Sequence, residues 1–319
     1  MFFNKRKKEK LLDAITLKPN LYYNELPSSI VSQLHGLKSL GIYTKQHIDD
    51  VPLQALKICK QLKVDEDVTH FIMISSYLHD VGKIFIPTSI LKKNDKLTDE
   101  EYEIMKTHAE KSYDVCMQFD DLRKYAKTVR GHHENIDGSG YPDALYDTQV
   151  TFEMRVLRVA DFYSALKSKR EYKDKMPVSQ VFEILTDEAM NKKIDSNVFI
   201  ALIKAVMLEK EYEIANIKTS LEGYNEQLEY NGIILEYLDQ YTKKKKNSYE
   251  IMKDVELNRY LNKLQAFDIT SINDANKLLE RINDNIIQLL KNINDTKNAK
   301  NDMKILKKCM DKIEKRIGW

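Results

Sequence analysis

Apolar residues recur at helical spacing along most of the chain, and no segment shows convincing strand-like alternation. An apolar pattern over residues 44–62 predicts one helix, although Pro52 lies inside it and requires either a later start or a kink. A second pattern, over residues 67–78, predicts a helix that ends directly before His79. The apolar pattern therefore predicts an all-α fold.

Further helices are predicted on both sides of a polar segment at residues 132–142. Thr98 is followed three residues later by Glu101, which is the signature of a capping box at a helix start. Helical patterns also cover residues 152–166, 178–189 and 196–208. The first of these three helices contains Asp161.

The pattern changes after about residue 209, beyond which the sequence has no proline. Apolar residues there follow steps of four and three, which predict helix-to-helix packing. Two arrangements fit this rhythm: an antiparallel helical bundle, or a coiled coil with another chain in a homodimer. The polar residues 294–298 favour the bundle, since they are a candidate hairpin turn. We predict an N-terminal extension, a main domain and a C-terminal helical region, with boundaries at residues 1–40, 41–209 and 210–319.

Composition narrows the class of protein without identifying it. The 319 residues are 42% hydrophobic and 31% charged, and the net charge is +2, so we expect no strong attraction to a nucleic-acid polymer or a membrane surface. The three cysteines lack CxxC spacing, and no stretch approaches the ~18 apolar residues of a membrane span. We therefore expect a cytoplasmic protein with reduced thiols.

One segment cannot be an ordinary helix interior. Residues 132–142 read His-His-Glu-Asn-Ile-Asp-Gly-Ser-Gly-Tyr-Pro. Gly138 and Gly140 permit backbone angles that other residues avoid, and Pro142 fixes its own φ. A bare His-His pair can simply end a surface helix, whereas a pair beside a rigid turn can also bind a metal through neutral imidazole nitrogens.

Other histidines and aspartates make the metal interpretation stronger. They lie at or near predicted helix ends or turns, where side chains can converge in the core of a helical bundle. The candidate ligands are His47, His79, Asp80, His108, His132, His133 and Asp161. A lone histidine in such a position is more often a hydrogen-bonded core residue, but this set includes an adjacent His-Asp pair and an adjacent His-His pair.

The two pairs also carry a family resemblance. His79-Asp80-Val81-Gly82-Lys83 and residues 132–142 resemble the two signatures of the HD-GYP phosphodiesterases, a branch of the HD metal-dependent phosphohydrolases. The similarity extends over residues 41–209, which it identifies as an HD-type helical catalytic domain. The resemblance implies hydrolysis of cyclic di-GMP to linear pGpG and, in some members, further to GMP.

The resemblance also assigns roles to the candidate ligands. It implies that Asp80 bridges two metal ions, one bound by His47, His79 and Asp161 and the other by His108, His132 and His133. Imidazoles with few carboxylates suit Fe, Mn or Zn. Two such ions generate a bridging hydroxide as the nucleophile near neutral pH.

Other residues are expected to support the reaction from around the metals. Lys83 would stabilise charge on the transferring phosphoryl group. The resemblance implies that Arg170 and Lys173 hold the nucleotide phosphates, and Tyr141 is a further candidate substrate contact. Glu134 is expected to fix an imidazole rather than to bind metal, and Asp137 to act from a similar outer position.

Two positions depart from the family pattern. Tyr43 occupies the place where some members have a glutamate that helps to bind a third metal, so we expect two metals here. Ser164 replaces an acidic residue, which leaves the substrate preference open. The alternatives are an HD phosphohydrolase for another nucleotide and a catalytically idle HD-GYP module that binds or docks in cyclic di-GMP signalling.

Overall fold

The structure is a computed structural model that describes residues 12, 16–39, 45–93, 95–167, 176–243 and 272–318. Over these residues the regular secondary structure is helical, and the one extended feature is an isolated bridge between Asp137 and Tyr146. The all-α prediction is therefore confirmed. No helix among the described residues is long and apolar enough to cross a membrane.

The α-helices are numbered here in chain order. They are α1 Asn20–Tyr23, α2 Ser28–Ser39, α3 Lys45–Leu62, α4 Glu66–Leu78, α5 Thr88–Leu91, α6 Asp99–Lys106, α7 His108–Met117, α8 Ala126–Arg130, α9 Phe152–Lys167, α10 Val178–Met190, α11 Ser196–Lys243 and α12 Ile272–Ile317. Short 3-10 helices cover Val81–Phe85, Asp120–Tyr125 and Asp147–Gln149. The predicted capping box at the start of α6 is confirmed by hydrogen bonds of 3.3 Å to the Thr98 hydroxyl and 2.8 Å to the Glu101 carboxylate.

The chain divides into two compact units. One comprises residues 9–210 together with 302–319, and the other comprises residues 1–8 and 211–301. The larger unit contains two apolar clusters: α3, α9, α10 and the start of α11 build the first, whereas α2, α7 and α8 build the second. Helix α4 contributes Ile72 to the first cluster and Met73 to the second, so it lies between them.

Helix α4 is the element that positions the predicted His-Asp pair. Its first turn is capped by Asp65, whose carboxylate accepts a hydrogen bond of 2.9 Å from the backbone N–H of Asp67. Every residue from Ile72 to Asp80 is buried. A helix that is apolar on most sides and enclosed by two clusters has little freedom to shift, so the residues that follow it are fixed in place.

Helix α3 runs through Pro52 instead of starting there. The helix begins at Lys45, so His47 lies within its first turn. The prediction had left a start at Pro52 or a kink open, and the structure excludes the start. The side chain of His47 and the whole of Tyr43 lie outside the described residues.

The C-terminal helices are longer than predicted. Helix α11 continues past residue 209, and α12 passes through residues 294–298 without a break, so the predicted hairpin turn there is wrong. Two hydrogen bonds within the helix lie in or next to this stretch: Thr296 Oγ donates to the Asn292 carbonyl at 2.9 Å, and Gln288 donates to the Asn292 side chain at 3.0 Å. With no glycine or proline between residues 272 and 317, nothing in this stretch ends the helix.

The end of α12 packs in the larger unit. Leu306, Cys309 and Ile313 belong to the same apolar cluster as α10, and Lys312 lies 3.5 Å from the Asp187 carboxylate. Lys210 lies 3.1 Å from Asp302. The division at residues 40 and 209 remains a prediction, to which the structure adds that residues 302–319 share a compact unit with residues 9–210.

Candidate metal centre

Six of the seven predicted ligand residues come together in the structure, and the side chain of the seventh, His47, lies outside the described residues. They are held at helix ends or within a helix. His79 and Asp80 follow α4, His108 begins α7, His132 and His133 follow α8, and Asp161 lies on α9. All except His133, which is half-buried, are buried.

Asp80 lies at the middle of this group. Its Oδ2 is 2.9 Å from His79 Nε2, and its Oδ1 is 3.2 Å from His108 Nε2. The same Oδ1 lies 4.0 Å from His132 Nε2. The two oxygens of one carboxylate therefore face different imidazoles, which is an arrangement that suits a ligand bridging two cations.

Three histidines are oriented by backbone carbonyls of the preceding turn. Each Nδ1 lies close to the carbonyl oxygen three residues earlier: His79 to Ser76 at 2.7 Å, His108 to Met105 at 2.7 Å and His132 to Val129 at 2.6 Å. A carbonyl can only accept, so each Nδ1 carries the hydrogen. In the neutral form of these rings, Nε2 then presents a lone pair to the centre, as a metal ligand must.

The imidazoles converge closely enough for a metal ion. His108 Nε2 lies 3.2 Å from the Nε2 atoms of both His132 and His133, and the ligand atoms of this trio all lie within 4.8 Å of one another. The same limit holds for His79, Asp80 and His132. His132 therefore belongs to both groups, so these distances do not by themselves divide the ligands between two ions.

Asp161 is the second buried carboxylate among the predicted ligands, and its Oδ1 lies 3.8 Å from His79 Nε2. Burial lowers the pKa of His79, but the Asp80 and Asp161 carboxylates outweigh it and raise that pKa to about 10. A proton on His79 then occupies the side of the ring that faces both carboxylates. A divalent cation would satisfy the same two carboxylates and would displace that proton.

At His132 and His133 the effect of burial prevails, and the pKa of each imidazole is lowered. Burial, with the neighbouring His79 and His108, lowers the pKa of His132 to about 3. Burial and His132 likewise hold the pKa of His133 well below its ordinary value. Both rings are neutral near pH 7 and can donate lone pairs to a cation. Burial alone would raise the pKa of Asp80, but His79 and Lys83 hold it well below the ordinary range.

Lys83 contacts the same carboxylate from the 3-10 helix that follows α4. Its Nζ lies 2.9 Å from both Asp80 Oδ1 and Oδ2. The ammonium group is half-buried, so its charge acts in a partly dehydrated environment. Its predicted contact with a phosphoryl group remains a prediction.

Gly82 allows this 3-10 helix to lie directly on α7. Its N–H donates to Ser112 Oγ at 2.8 Å. A Cβ on Gly82 would come within 2.4 Å of both the His108 carbonyl oxygen and the Ser112 nitrogen. The close approach therefore depends on glycine, and it joins the segment of Asp80 to the first turn of the helix that begins with His108.

The structure corrects the predicted partner of Glu134. Its buried carboxylate accepts hydrogen bonds from the backbone N–H groups of Asp143, at 2.7 Å, and Leu145, at 3.0 Å. Glu134 thus fixes the returning loop, whereas the imidazoles of His79, His108 and His132 are fixed by backbone carbonyls. Sequence spacing could not show this, because the loop brings back residues that lie nine and eleven positions further along the chain.

Asp137 has a local role in the Gly-Ser-Gly turn. Its Oδ1 accepts hydrogen bonds from Ser139 N at 3.0 Å and Ser139 Oγ at 2.6 Å. Gly138 has the predicted positive φ, at 78°. Gly140 is required for a different reason: its φ is not positive, but a Cβ there would lie 2.3 Å from Asn135 N.

A model of the HD domain family matches residues 28–198, slightly more than half of the chain. The chain belongs to the HD domain family. This fold binds divalent metals, and the buried histidine and aspartate cluster described above is able to do so. The predicted relation to the HD-GYP branch is confirmed by the relatives.

Relatives of this HD domain include enzymes named for cyclic dinucleotides. The cyclic di-GMP phosphodiesterase of Thermotoga maritima is 32% identical over 60% of this chain and 52% of its own length. The 3'3'-cGAMP-specific phosphodiesterase 3 of Vibrio cholerae is 29% identical over 53% of this chain and 37% of its own. The response regulator RpfG of Xanthomonas campestris, a cyclic di-GMP phosphodiesterase, is 39% identical over 37% of this chain and 32% of its own. The chain thus spans between about a third and a half of these relatives.

Among the predicted substrate contacts of this HD domain, only Tyr141 lies within the described residues. Its ring stacks on His133, with centroids 4.7 Å apart and planes at 27°. Burial raises the pKa of the Tyr141 phenol far above its usual range, so the hydroxyl remains a neutral donor. Arg170 and Lys173 lie outside the described residues, and their roles remain predictions.

Sequence reasoning missed two arginines near the ligands. Arg130 ends α8, two residues before His132, and Arg158 lies on α9, one helical turn before Asp161. The sequence shows that each arginine lies two or three residues before a candidate ligand. Neither arginine belongs to the family motifs, however, and an arginine on a helix is usually interpreted as a surface residue.

Proposed function

We propose that this HD domain is a phosphodiesterase that hydrolyses cyclic di-GMP to linear pGpG, either as the final product or on the way to GMP, with two divalent transition-metal ions. The observation that carries the proposal is the position of the Asp80 carboxylate. Its Oδ2 lies 2.9 Å from His79 Nε2, and its Oδ1 lies 3.2 Å from His108 Nε2. The similarity to relatives named as cyclic di-GMP phosphodiesterases supports the choice of substrate.

The residues present suit such a metal pair. Asp80 would lie between the ions, with His47, His79 and Asp161 on one side and His108, His132 and His133 on the other. A set dominated by imidazole favours Fe, Mn or Zn over the oxygen-preferring Mg and Ca. When bound, the ions activate water near neutral pH and neutralise charge on the phosphoryl oxygens.

The remaining steps fall to side chains of the chain itself. Lys83, held beside Asp80, would add positive charge where the phosphoryl group gains negative charge. Tyr141, stacked on His133, would form one wall of the substrate site. Glu134 accepts hydrogen bonds from the backbone of residues 143 and 145. These bonds would hold the His-His segment and Tyr141 in fixed positions relative to each other.

A second substrate is 3'3'-cGAMP, because some relatives carry that specificity in their names. Ser164 lies on α9 close to Asp161, at a position where the family pattern has an acidic residue. This departure leaves the substrate preference open. A protein that binds either compound without hydrolysis would be a signalling module instead of an enzyme.

The test is reconstitution of the full chain with Fe(II), Mn(II) or Zn(II), followed by chromatography of the products formed from cyclic di-GMP and 3'3'-cGAMP. We expect pGpG from cyclic di-GMP, and no product with Asp80→Ala at equal protein concentration. A folded, metal-loaded protein that binds cyclic di-GMP and leaves it intact would contradict the proposal and favour the binding module.

A further inference from the structure

Arg158 is held in a fixed orientation beside the metal centre. Its Nε donates a hydrogen bond of 3.0 Å to Asn135 Oδ1, and its guanidinium carbon lies 4.8 Å from the centroid of the Phe162 ring. Asn135 is buried, and its Nδ2 donates to Ser139 Oγ at 3.0 Å. The guanidinium group is therefore tied to the Gly-Ser-Gly loop on one side and stacked on an aromatic ring on another.

This position is close to the predicted ligands. Arg158 precedes Asp161 by one turn of α9, and its partner Asn135 follows His133 by two residues. The hydrogen bond to Asn135 therefore attaches the guanidinium group to the segment that carries His133, and the Tyr141 ring stacks on that same imidazole.

The charge of Arg158 has no carboxylate partner within the part of the chain that the structure describes. Neighbouring cations differ in this respect: Arg130 contacts Asp143 and Glu110, and Arg155 lies 3.0 Å from Asp195. Lys106, which lies over the Tyr141 ring, is paired with Glu103 at 2.6 Å. A guanidinium group has five N–H donors, and the Asn135 bond uses the one on Nε.

These contacts leave the outer edge of the guanidinium fork for a ligand. A planar fork with two parallel N–H groups matches the oxygens of a phosphate, and its positive charge favours an anion over the neutral edge of a base. A cyclic dinucleotide carries two phosphodiesters in one ring, of which a single metal centre can engage only one at a time. The other phosphate needs a cation at the rim of the centre. The family resemblance assigns Arg170 and Lys173 to the nucleotide phosphates, and Arg158 is a further candidate.

We propose that Arg158 binds the phosphate of the cyclic dinucleotide that is not being hydrolysed. The inference rests on the proposed function, because it presupposes a cyclic dinucleotide at the metal centre. It adds a substrate contact to those that the sequence predicted, on a residue that α9 and the Asn135 side chain hold in place before substrate arrives. Pre-orientation of this kind reduces the ordering cost of binding.

The test compares substrates with one and with two phosphates. Full-length, metal-loaded wild type, Arg158→Met and Arg158→Lys are assayed on cyclic di-GMP, cyclic di-AMP, 3'3'-cGAMP and the single-phosphate diester bis(p-nitrophenyl) phosphate. Arg123→Met is the matched control, since Arg123 is an exposed arginine that pairs with Asp120 at 2.9 Å in a surface 3-10 helix. Metal content and the affinity for cyclic di-GMP are measured for each protein.

We expect Arg158→Met to raise the KM for cyclic di-GMP roughly ten- to a hundredfold, the loss typical of a hydrogen bond to a charged group. The loss should be similar for every cyclic dinucleotide that the wild type hydrolyses and much smaller for bis(p-nitrophenyl) phosphate. Arg158→Lys should fall between, because it keeps the charge and loses the fork. Arg123→Met should match the wild type.

Any of four results would overturn the inference. A loss confined to guanine-containing substrates means that Arg158 reads a base, and an equal loss on the single-phosphate diester or a loss of metal means that it acts only through Asn135. An unchanged KM removes any role. If the wild type hydrolyses bis(p-nitrophenyl) phosphate but no cyclic dinucleotide, the proposed function fails separately, and the cyclic di-GMP affinities of the same variants still test the contact.

Discussion

Arg130 donates hydrogen bonds to both carboxylate oxygens of Asp143, from Nε at 2.7 Å and from Nη2 at 2.8 Å. The pair joins the last residue of α8 to the residue after Pro142, so it closes the loop that contains His132 and His133. The Arg130 guanidinium, in turn, lowers the pKa of the Asp143 carboxyl below its ordinary value. The loop is thus fixed at both ends by one bidentate ion pair.

We expect Arg130→Met to weaken metal binding more than it weakens the fold. The pair is partly exposed, so its loss should cost about 1 kcal/mol or less in unfolding free energy. Loosening the loop should lower metal affinity about tenfold or more, as changes in groups that orient metal ligands do. Metal affinity from a competing chelator and thermal unfolding of the apo-protein separate the two effects. Unchanged affinity would mean that Glu134 alone holds the loop.

Asp80→Asn tests the central carboxylate with little change in size. Removal of its charge should lower the occupancy of both ions and reduce hydrolysis by at least about a hundredfold, because each oxygen faces a different group of imidazoles. Circular dichroism should show the helices intact. A loss of less than tenfold, with metal content equal to that of the wild type, would contradict the bridging assignment.

Metal analysis of the purified protein provides an independent test of the departure at Tyr43. We expect two transition-metal ions per chain, since tyrosine stands where some HD-GYP proteins have a glutamate that helps to bind a third. Mass spectrometry of metals at known protein concentration measures this ratio. A third fully occupied ion with a ligand from α3 would show that the substitution does not limit the metal count.

Gly82→Ala probes the close contact between the segment of Asp80 and α7. An added Cβ would meet backbone atoms of His108 and Ser112 at 2.4 Å, so one of the two segments must move. We expect a loss of metal affinity together with a destabilisation of a few kcal/mol, of the order seen for overpacking. Gly36→Ala is the control, because nothing lies within 4 Å of a Cβ in that helix and the change should stabilise by about 0.5–1 kcal/mol. Equal metal affinity in Gly82→Ala and the wild type would contradict the account.

The sequence indicated the residues that cluster in the structure, but not the groups that support them. His79 with Asp80 and His132 with His133 are adjacent pairs, so their chemistry is visible without the fold. Glu134 was assigned the wrong partner, because its hydrogen bonds reach N–H groups that only the returning loop brings near. The helical patterns predicted both ends of α4 and of α9 to within one residue, because apolar residues are buried along each of these helices.

The C-terminal region shows the limit of a pattern in another way. The steps of four and three in α12 correctly indicate a packing face at Leu306 and Ile313, but they do not say which surface covers it. The end of α12 packs on the apolar cluster that contains α10. The residues of α10 lie more than a hundred positions earlier in the chain, so the pattern within α12 cannot identify them. The polar residues 294–298 suggested a turn, whereas the absence of glycine and proline allowed the helix to continue.

That packing implies that the last turns of the chain stabilise the domain that holds the predicted metal ligands. Leu306 is fully buried beside α10, so Leu306→Ala should cost about 2–5 kcal/mol in unfolding free energy, the range for a buried leucine that leaves a cavity. Leu290→Ala is the same substitution in the same helix at a side chain that is 61% exposed, and it should change stability by about 0.5 kcal/mol or less. Chemical denaturation of both variants measures the difference.

A local measurement distinguishes this packing from a general loss of stability. Cys309 is buried between Leu306 and Ile313 along α12, with its thiol 3.9 Å from the Phe182 carbonyl. Undocking of the helix end exposes it, whereas Cys59 and Cys116 lie in the core with burial raising the pKa of each thiol to about 12. Leu306→Ala should therefore speed the labelling of Cys309 by a thiol reagent far more than that of Cys59 or Cys116. A chain that ends at residue 209 retains every predicted ligand and should bind metal if it stays soluble, at reduced stability. If Leu306→Ala and Leu290→Ala label and unfold alike, the end of α12 does not stabilise the domain.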